Sequence, residues 1–314
     1  AQGLSVYLDG VRLNQPFGDV VSWDLIPKSA IAGIALMPGS NPLFGLNTLG
    51  GALAVQTKDG LKNPGTSVQL SVGQHGRAAL EFETGGGQAQ GTHWFATGNR
   101  FHERGWRVNS PSDVSQLFGK LGFKAGDTRL TLTTALAETD LNGNGLQEQR
   151  LLARDHTSVY SQPDNTRNRA ALLNLAVSHS LGDSLTLSGQ VYWRRLRTAT
   201  YNGDVNDDAL DQAVYQPNAA ERAALTAAGY SGFPASGENA ANTPFPKWRC
   251  IANALLRDEP GEKCNGLINQ STTSQIQQGL SVQLQGEGRL AGLAQQWVLG
   301  AALDVSRVHF TQGS

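Results

Sequence analysis

The chain lacks most of what a soluble enzyme of its length would carry. Only one methionine, two cysteines and a 16% share of charged residues occur in 314 positions. So little charge is unusual for a soluble domain of this size. The formal net charge of −1 offers neither a basic surface for nucleic acid nor a polybasic membrane anchor. No apolar run is fit to be a membrane helix. The longest uncharged stretch, Ser29–Thr57, is broken by Pro38, Gly39, Pro42, Gly45, Gly50 and Gly51, and Asn41 and Asn47 would need partners in lipid. A secretory leader is also missing, since Ala1-Gln2-Gly3 leads straight into an alternating strand.

Catalytic and metal signatures are missing as well. The histidines are scattered, with no His-Glu-x-x-His pair, no phosphate-binding or dinucleotide glycine run, and no Gly-x-Ser-x-Gly elbow at Gly229–Gly232. No enzyme activity, cofactor or dedicated metal site is therefore expected. Asp140–Gly145 matches the first half of a calcium loop, but its twelfth position is Leu151 in place of a bidentate glutamate, so it reads as a polar turn. Asp204, Asn206, Asp207 and Asp208 form an acidic cluster for which calcium stays open. Cys250 and Cys264 share one polar segment with no zinc-finger spacing. They are either two cytosolic thiols or, as the rest of the chain favours, a disulfide in an oxidising compartment.

What the chain does have is glycine, 37 residues of it, and alternation. From residue 64 onward, segments of ten to fifteen residues place apolar side chains on one face and polar ones on the other. Leu185, Leu187, Val191 and Trp193 oppose Thr186, Ser188, Gln190, Tyr192 and Arg194; Leu280, Val282 and Leu284 oppose Ser281, Gln283 and Gln285. The pattern predicts about nine strands, near 66–73, 77–86, 92–104, 113–125, 128–140, 168–181, 184–200, 274–290 and 295–311. A soluble sandwich alternates in the same way. Two features favour a membrane barrel: the strands are as long as a tilted bilayer crossing requires, about 9–11 residues, and short turns alternate with long loops, the longest being 201–273. Cations and aromatics gather toward the long-loop rim, among them Arg194, Arg195 and Arg197. Arg104, Trp106, Tyr201 and Trp248 are the candidates there for lining a ligand vestibule.

The first sixty residues differ. Val6-Tyr7-Leu8, Asp9-Gly10 and Val11-Arg12-Leu13 read as a hairpin. Pro27-Lys28-Ser29 opens a short helical turn, Ile31–Met37 and Gly51–Thr57 read as strands, and Lys58–Pro64 as a linker.

This segment resembles the plug of TonB-dependent outer-membrane receptors. The resemblance rests on the strand around Asp9-Gly10, on Ile26-Pro27-Lys28-Ser29-Ala30-Ile31, and above all on Gly39…Phe44-Gly45…Gly50-Gly51-Ala52-Leu53-Ala54-Val55-Gln56-Thr57-Lys58. It covers residues 6–58 by motif and the remainder by architecture alone. It implies a mainly β chain: the C-terminal part of a plug at 1–63, then the first part of an unclosed, antiparallel transmembrane barrel at 64–314. It also implies a bacterial outer-membrane location in contact with lipid and active import of a scarce small-molecule or metal-chelate substrate, most often an iron–siderophore chelate. The implied partner is the TonB energy complex, which engages an N-terminal box not found in this sequence. Nine strands being an odd number, a piece of a longer receptor is expected. One departure stands out. Where family members place charged residues in the strand at 31–37 and a cation before the glycine, this sequence has Gly33, Ala35 and Pro38, which puts ion pairs from that strand to the wall in question. A passive porin or adhesin barrel, an outer-membrane hydrolase and a soluble β-rich binder are the alternatives.

Overall fold

The computed structural model describes residues 3–23, 26–39, 49–143, 145–147, 149–205, 217–233, 248–256, 266–290 and 293–313. Phe44, Gly45, Asn206, Asp207, Asp208, Cys264 and the Cys250 side chain lie outside the described residues, and with them the acidic cluster and the disulfide.

Two sheets make up the fold. The smaller has the strand order β2-β1-β4-β3, built from β1 (Leu4–Leu8), β2 (Val11–Arg12), β3 (Ile31–Pro38) and β4 (Gly51–Thr57). β1 pairs in parallel with β4, and the other pairings are antiparallel. The turn over Lys28–Ala30 is a 3-10 helix, with Pro27 preceding it in an extended conformation.

The larger sheet has nine strands in sequence order, every pairing antiparallel, with β5 and β13 as its two edges. The strands are β5 (Gly65–Val72), β6 (Ala78–Gly87), β7 (Gly91–Glu103), β8 (Ser112–Ala125), β9 (Thr128–Asn142), β10 (Asp164–Ser180), β11 (Leu185–Val205), β12 (Gly266–Leu290) and β13 (Leu293–Gly313). This unclosed antiparallel wall is what the alternation predicts, but several strands run further on the long-loop side. β10 starts at Asp164, β11 continues to Val205, and β12 starts at Gly266. The ladder from Leu185↔Gly286 to Val205↔Gly266 is unbroken. Its upper part, Gly266–Ser274, is polar on both faces, so the period of two that marks a half-buried strand is missing while the backbone pairing continues. At about 3.3 Å per residue the 25 residues of β12 run well past the hydrocarbon thickness.

Among the described residues three α-helices interrupt the long loops, none of them visible as alternation: α1 (Gln149–Arg154), α2 (Ala219–Ala227) and α3 (Trp248–Leu256). α2 begins with a reciprocal capping box, in which the Asn218 side chain accepts from the Glu221 amide and the Glu221 carboxylate accepts from the Asn218 amide. Glu221 also binds Arg249 on α3 at 2.9 Å.

The apolar set of the wall is exposed. Leu187, Val191, Leu280, Leu299 and Leu303 face away from the small sheet, and Leu299 is 68% exposed. A soluble sandwich would bury this set between two sheets; here the buried positions lie on the opposite, largely polar face. The small sheet rests on that face. Its core of Val6, Leu8, Val11, Leu13, Ile26 and Val55 is completed by Leu172 of β10. A second patch places Ala30 against the Phe95–Phe118 pair on β7 and β8. Contacts reach from Thr97 on β7 to Phe310 on β13, where Phe310 stacks on Phe17 at 4.9 Å. One small sheet touches strands spread over six spacings of about 4.8 Å each, so the wall is concave around it.

Candidate functional site

The residues picked out by the plug-like motif converge on the seam between the small sheet and the wall. β1 and β2 are joined by the two-residue turn Asp9-Gly10, with φ of +46° and +87°. Positive φ at both positions is the tight-hairpin geometry that an Asp-Gly pair supplies. The second residue must be glycine for another reason too: a Cβ there would lie 2.7 Å from Gln190 Oε1 on β11. Gln190 Nε2 uses that closeness to donate to the Asp9 carbonyl at 3.2 Å and to Asn174 Oδ1 at 3.0 Å.

The Asp9 carboxylate joins three segments. It accepts from the Thr57 amide at 3.0 Å and from the Thr57 hydroxyl, and it pairs with Lys120 Nζ of β8 at 2.9 Å. The next residue, Lys58, donates its amide to the Ala30 carbonyl and pairs with Glu83 of β6 at 2.6 Å, with its ammonium 5.9 Å from the Phe95 ring centre. The ion pairs that fasten the small sheet to the wall therefore come from Asp9 and Lys58. β3, which lacks charge, is an edge strand with Ile34 and Leu36 exposed.

The remaining motif residues shape backbone. The Pro27 carbonyl accepts from the Ala30 amide at 3.0 Å, and Ser29 Oγ lies 2.7 Å from Thr97 Oγ1 on β7. The Gly50 amide donates to the Gly3 carbonyl at 2.7 Å. Gly51 has φ +120°, and a Cβ on it would collide with the Met37 carbonyl at 2.3 Å. Gly39 has φ +93° with open space around it. Burial raises the Tyr7 phenol above its ordinary pKa, so it stays protonated on β1.

A second seam went unread in the sequence. Arg194, placed by sequence with the rim cations, is 7% exposed and points inward. Its guanidinium donates to the Leu13 carbonyl at 2.6 Å and to Gln277 Oε1 at 3.0 Å. Gln275 donates to Gln15 Oε1 at 2.8 Å and accepts from the Phe17 amide at 3.3 Å. Asn14 turns back on its own sheet, accepting from the Val6 amide and donating to the Leu4 carbonyl. The signal available was the inward register of Arg194, Gln275 and Gln277, long polar side chains in consecutive polar-face positions.

The vestibule candidates are not gathered in one place. Trp106 stacks on His156 beside the Arg107 guanidinium. Arg104 lies against the turn at Gly76, its amide donating to the His75 carbonyl. Tyr201 borders a 440 Å³ polar hollow on the outer flank with Asp113, Asp140 and Arg167. Trp248 packs edge-on against Tyr230 and Phe233 at the helix pair. Among the described residues no group of three His, Cys, Asp or Glu is placed to hold a metal ion.

Neither a protein-family model nor a curated protein sequence matches the chain. Solved structures do match. The ferripyoverdine receptor of the outer membrane of Pseudomonas aeruginosa aligns over 98% of this chain and 36% of its own, with TM-score 0.66 and 13% identity. The siderophore receptor PiuA from Acinetobacter baumannii aligns over 98% and 38%, with TM-score 0.65 and 12% identity. The ferric-catecholate import receptor Fiu from E. coli K12 aligns over 98% and 43%, with TM-score 0.67 and 12% identity. At such identities the likeness is one of fold, and the chain spans from 36% to 43% of these structures' lengths.

Proposed function

We propose that this chain belongs to an energised outer-membrane receptor that imports a scarce solute, with an iron chelate of the siderophore type as the substrate class. In this reading residues 1–63 are plug and 64–314 are wall, the long loops face outside, and a TonB-type complex supplies the energy. One observation carries the reading: a separate small sheet is held on the concave, polar face of a strand wall whose convex face is apolar. The fold likeness to receptors whose names specify ferripyoverdine, siderophore and ferric catecholate supports the substrate class. A passive porin has no use for a sheet fastened across its lumen by Asp9–Lys120, Lys58–Glu83 and Arg194.

The test is to lock the seam in the full-length receptor. Ser29→Cys with Thr97→Cys replaces two side-chain oxygens 2.7 Å apart. Under oxidation, cells are expected to bind ferric chelate and fail to import it, with import restored by reductant. Uptake that ignores the cross-link, or that persists without the energising complex, would favour the porin reading.

A further inference from the structure

The convex face of the wall is not uniformly apolar. Along β11 the outward register runs Leu187, Val191, Trp193 and then Arg195 and Arg197; along β13 it runs Leu299, Leu303, Val305 and then Arg307. β10 passes from Leu175 and Leu173 to Arg169 and Arg167, and β7 from Trp94 to Arg100. Above the apolar belt, arginines therefore outnumber the outward carboxylates Asp113, Glu138 and Asp140 two to one. At the short-turn rim the outward register holds Phe123, Thr128, Leu185 and Trp297, and among the described residues no lysine or arginine. The charge belongs to one rim only.

The carboxylates do not neutralise it. Arg167 pairs with Asp140, Arg169 with Glu138, and Arg100 with Asp113. Among the described residues Arg195, Arg197 and Arg307 have no such partner. Arg197 also stands directly across the ladder from Arg169, and like charges in that position repel unless an anion lies between them. Arg195 and Arg307 flank Ile276 on either side of β12. Below them a shallow groove of about 740 Å³ opens on the convex face, lined by Leu132, Leu173, Val191, Leu280 and Leu303 and closed at its upper end by Ile276 and Arg307.

A cationic cluster above an apolar groove fits a ligand with an anionic head and an acyl tail. Guanidinium forks suit phosphate oxygens, and an arginine costs little on a lipid-facing strand only near the interface. We infer that Arg195, Arg197 and Arg307 form a binding site for a phosphorylated glycolipid of the outer leaflet, with an acyl chain lying in the groove beneath. The inference rests on the outer-membrane reading above, with the long loops outside.

Orientation is checked first. Cysteine substituted at Asn218 must react with an impermeant reagent on intact cells, and cysteine at Gly182 must not; the reverse would overturn the outer-membrane reading and this site together. Full-length receptor is then titrated with bicelles carrying bis-phosphorylated lipid A or its dephosphorylated form. Wild type is expected to bind the phosphorylated form about tenfold or more tightly, as several charge-assisted contacts allow. Arg195→Gln with Arg197→Gln and Arg307→Gln should lose that preference, and the triple lysine variant should keep most of it. Correct insertion of each variant is read independently from heat-modifiable gel mobility. Equal binding of both lipids by wild type, or undiminished preference in the glutamine variant, would overturn the site alone. Saturation by millimolar inorganic phosphate in lipid-free detergent would mark a free anion as the ligand and overturn the assignment to lipid.

Discussion

The concave and convex faces of the wall are made from alternate residues of the same strands, yet different forces hold them. Arg194 and Arg195 are chain neighbours on β11. Arg194 is buried and bonded to the backbone of the small sheet; Arg195 is exposed on the outer side. The concave face works by geometry, since each carbonyl or amide of the small sheet needs a donor or acceptor in a fixed place. The convex face needs only to be apolar at the right depth. One strand thus carries two sets of demands at a spacing of one residue, and a substitution should be costly or silent according to parity and depth.

Four substitutions in the full-length receptor probe this contrast, in order of expected effect. Leu187→Arg places a charge in the apolar belt and should cost about 2–4 kcal/mol of unfolding free energy in phospholipid vesicles; a loss under about 1 kcal/mol would mean that the convex face does not meet lipid. Arg194→Met leaves the Leu13 carbonyl without this donor and should cost about 2–3 kcal/mol, read as faster protease cleavage within residues 4–57; unchanged cleavage would show that the second seam does not hold the sheet. Lys120→Met leaves Asp9 with Thr57 alone and should cost about 1–2 kcal/mol for this partly buried pair, visible as a lower urea midpoint. Arg195→Met in vesicles of neutral lipid should stay within about 0.5 kcal/mol of wild type. A larger loss there would mean that the two faces are not independent.

Parity is also what made the wall readable. Period-two alternation located all nine strands and assigned Leu187, Leu284 and Leu299 to one face and Gln190 and Gln283 to the other. It failed where its physical cause is absent. The upper end of β12 has no lipid on one side, so nothing selects apolar residues at alternate positions. Leu172 and Leu196 break the pattern in the opposite sense, as buried leucines in polar-face register, and Leu172 does so because the small sheet requires an apolar partner there. The helices α1, α2 and α3 were hidden in polar loops too short for a convincing periodicity. At the seam, Asp9, Gly10, Thr57 and Lys58 stood out because tight turns and close approach restrict residue type. Their wall partners did not stand out: Gln190 lies 181 residues from Asp9, and Gln275 lies 260 from Gln15. Contacts of that range leave no local pattern.

The parallel pairing of β1 with β4 has a mechanical consequence. β4 is tethered at its far end, where Thr57 and Lys58 meet Asp9, Lys120 and Glu83. A tension applied to the Leu4 end of β1 would draw the two strands in opposite directions along their common axis. The pairs from Leu4↔Gly51 to Leu8↔Val55 would then be loaded together, in shear, instead of opening one after another like a zip. The contacts with the wall are individual side-chain bonds, spread over separate strands and free to part in sequence. Under such a load the small sheet should come away from the wall as an intact body before it unravels.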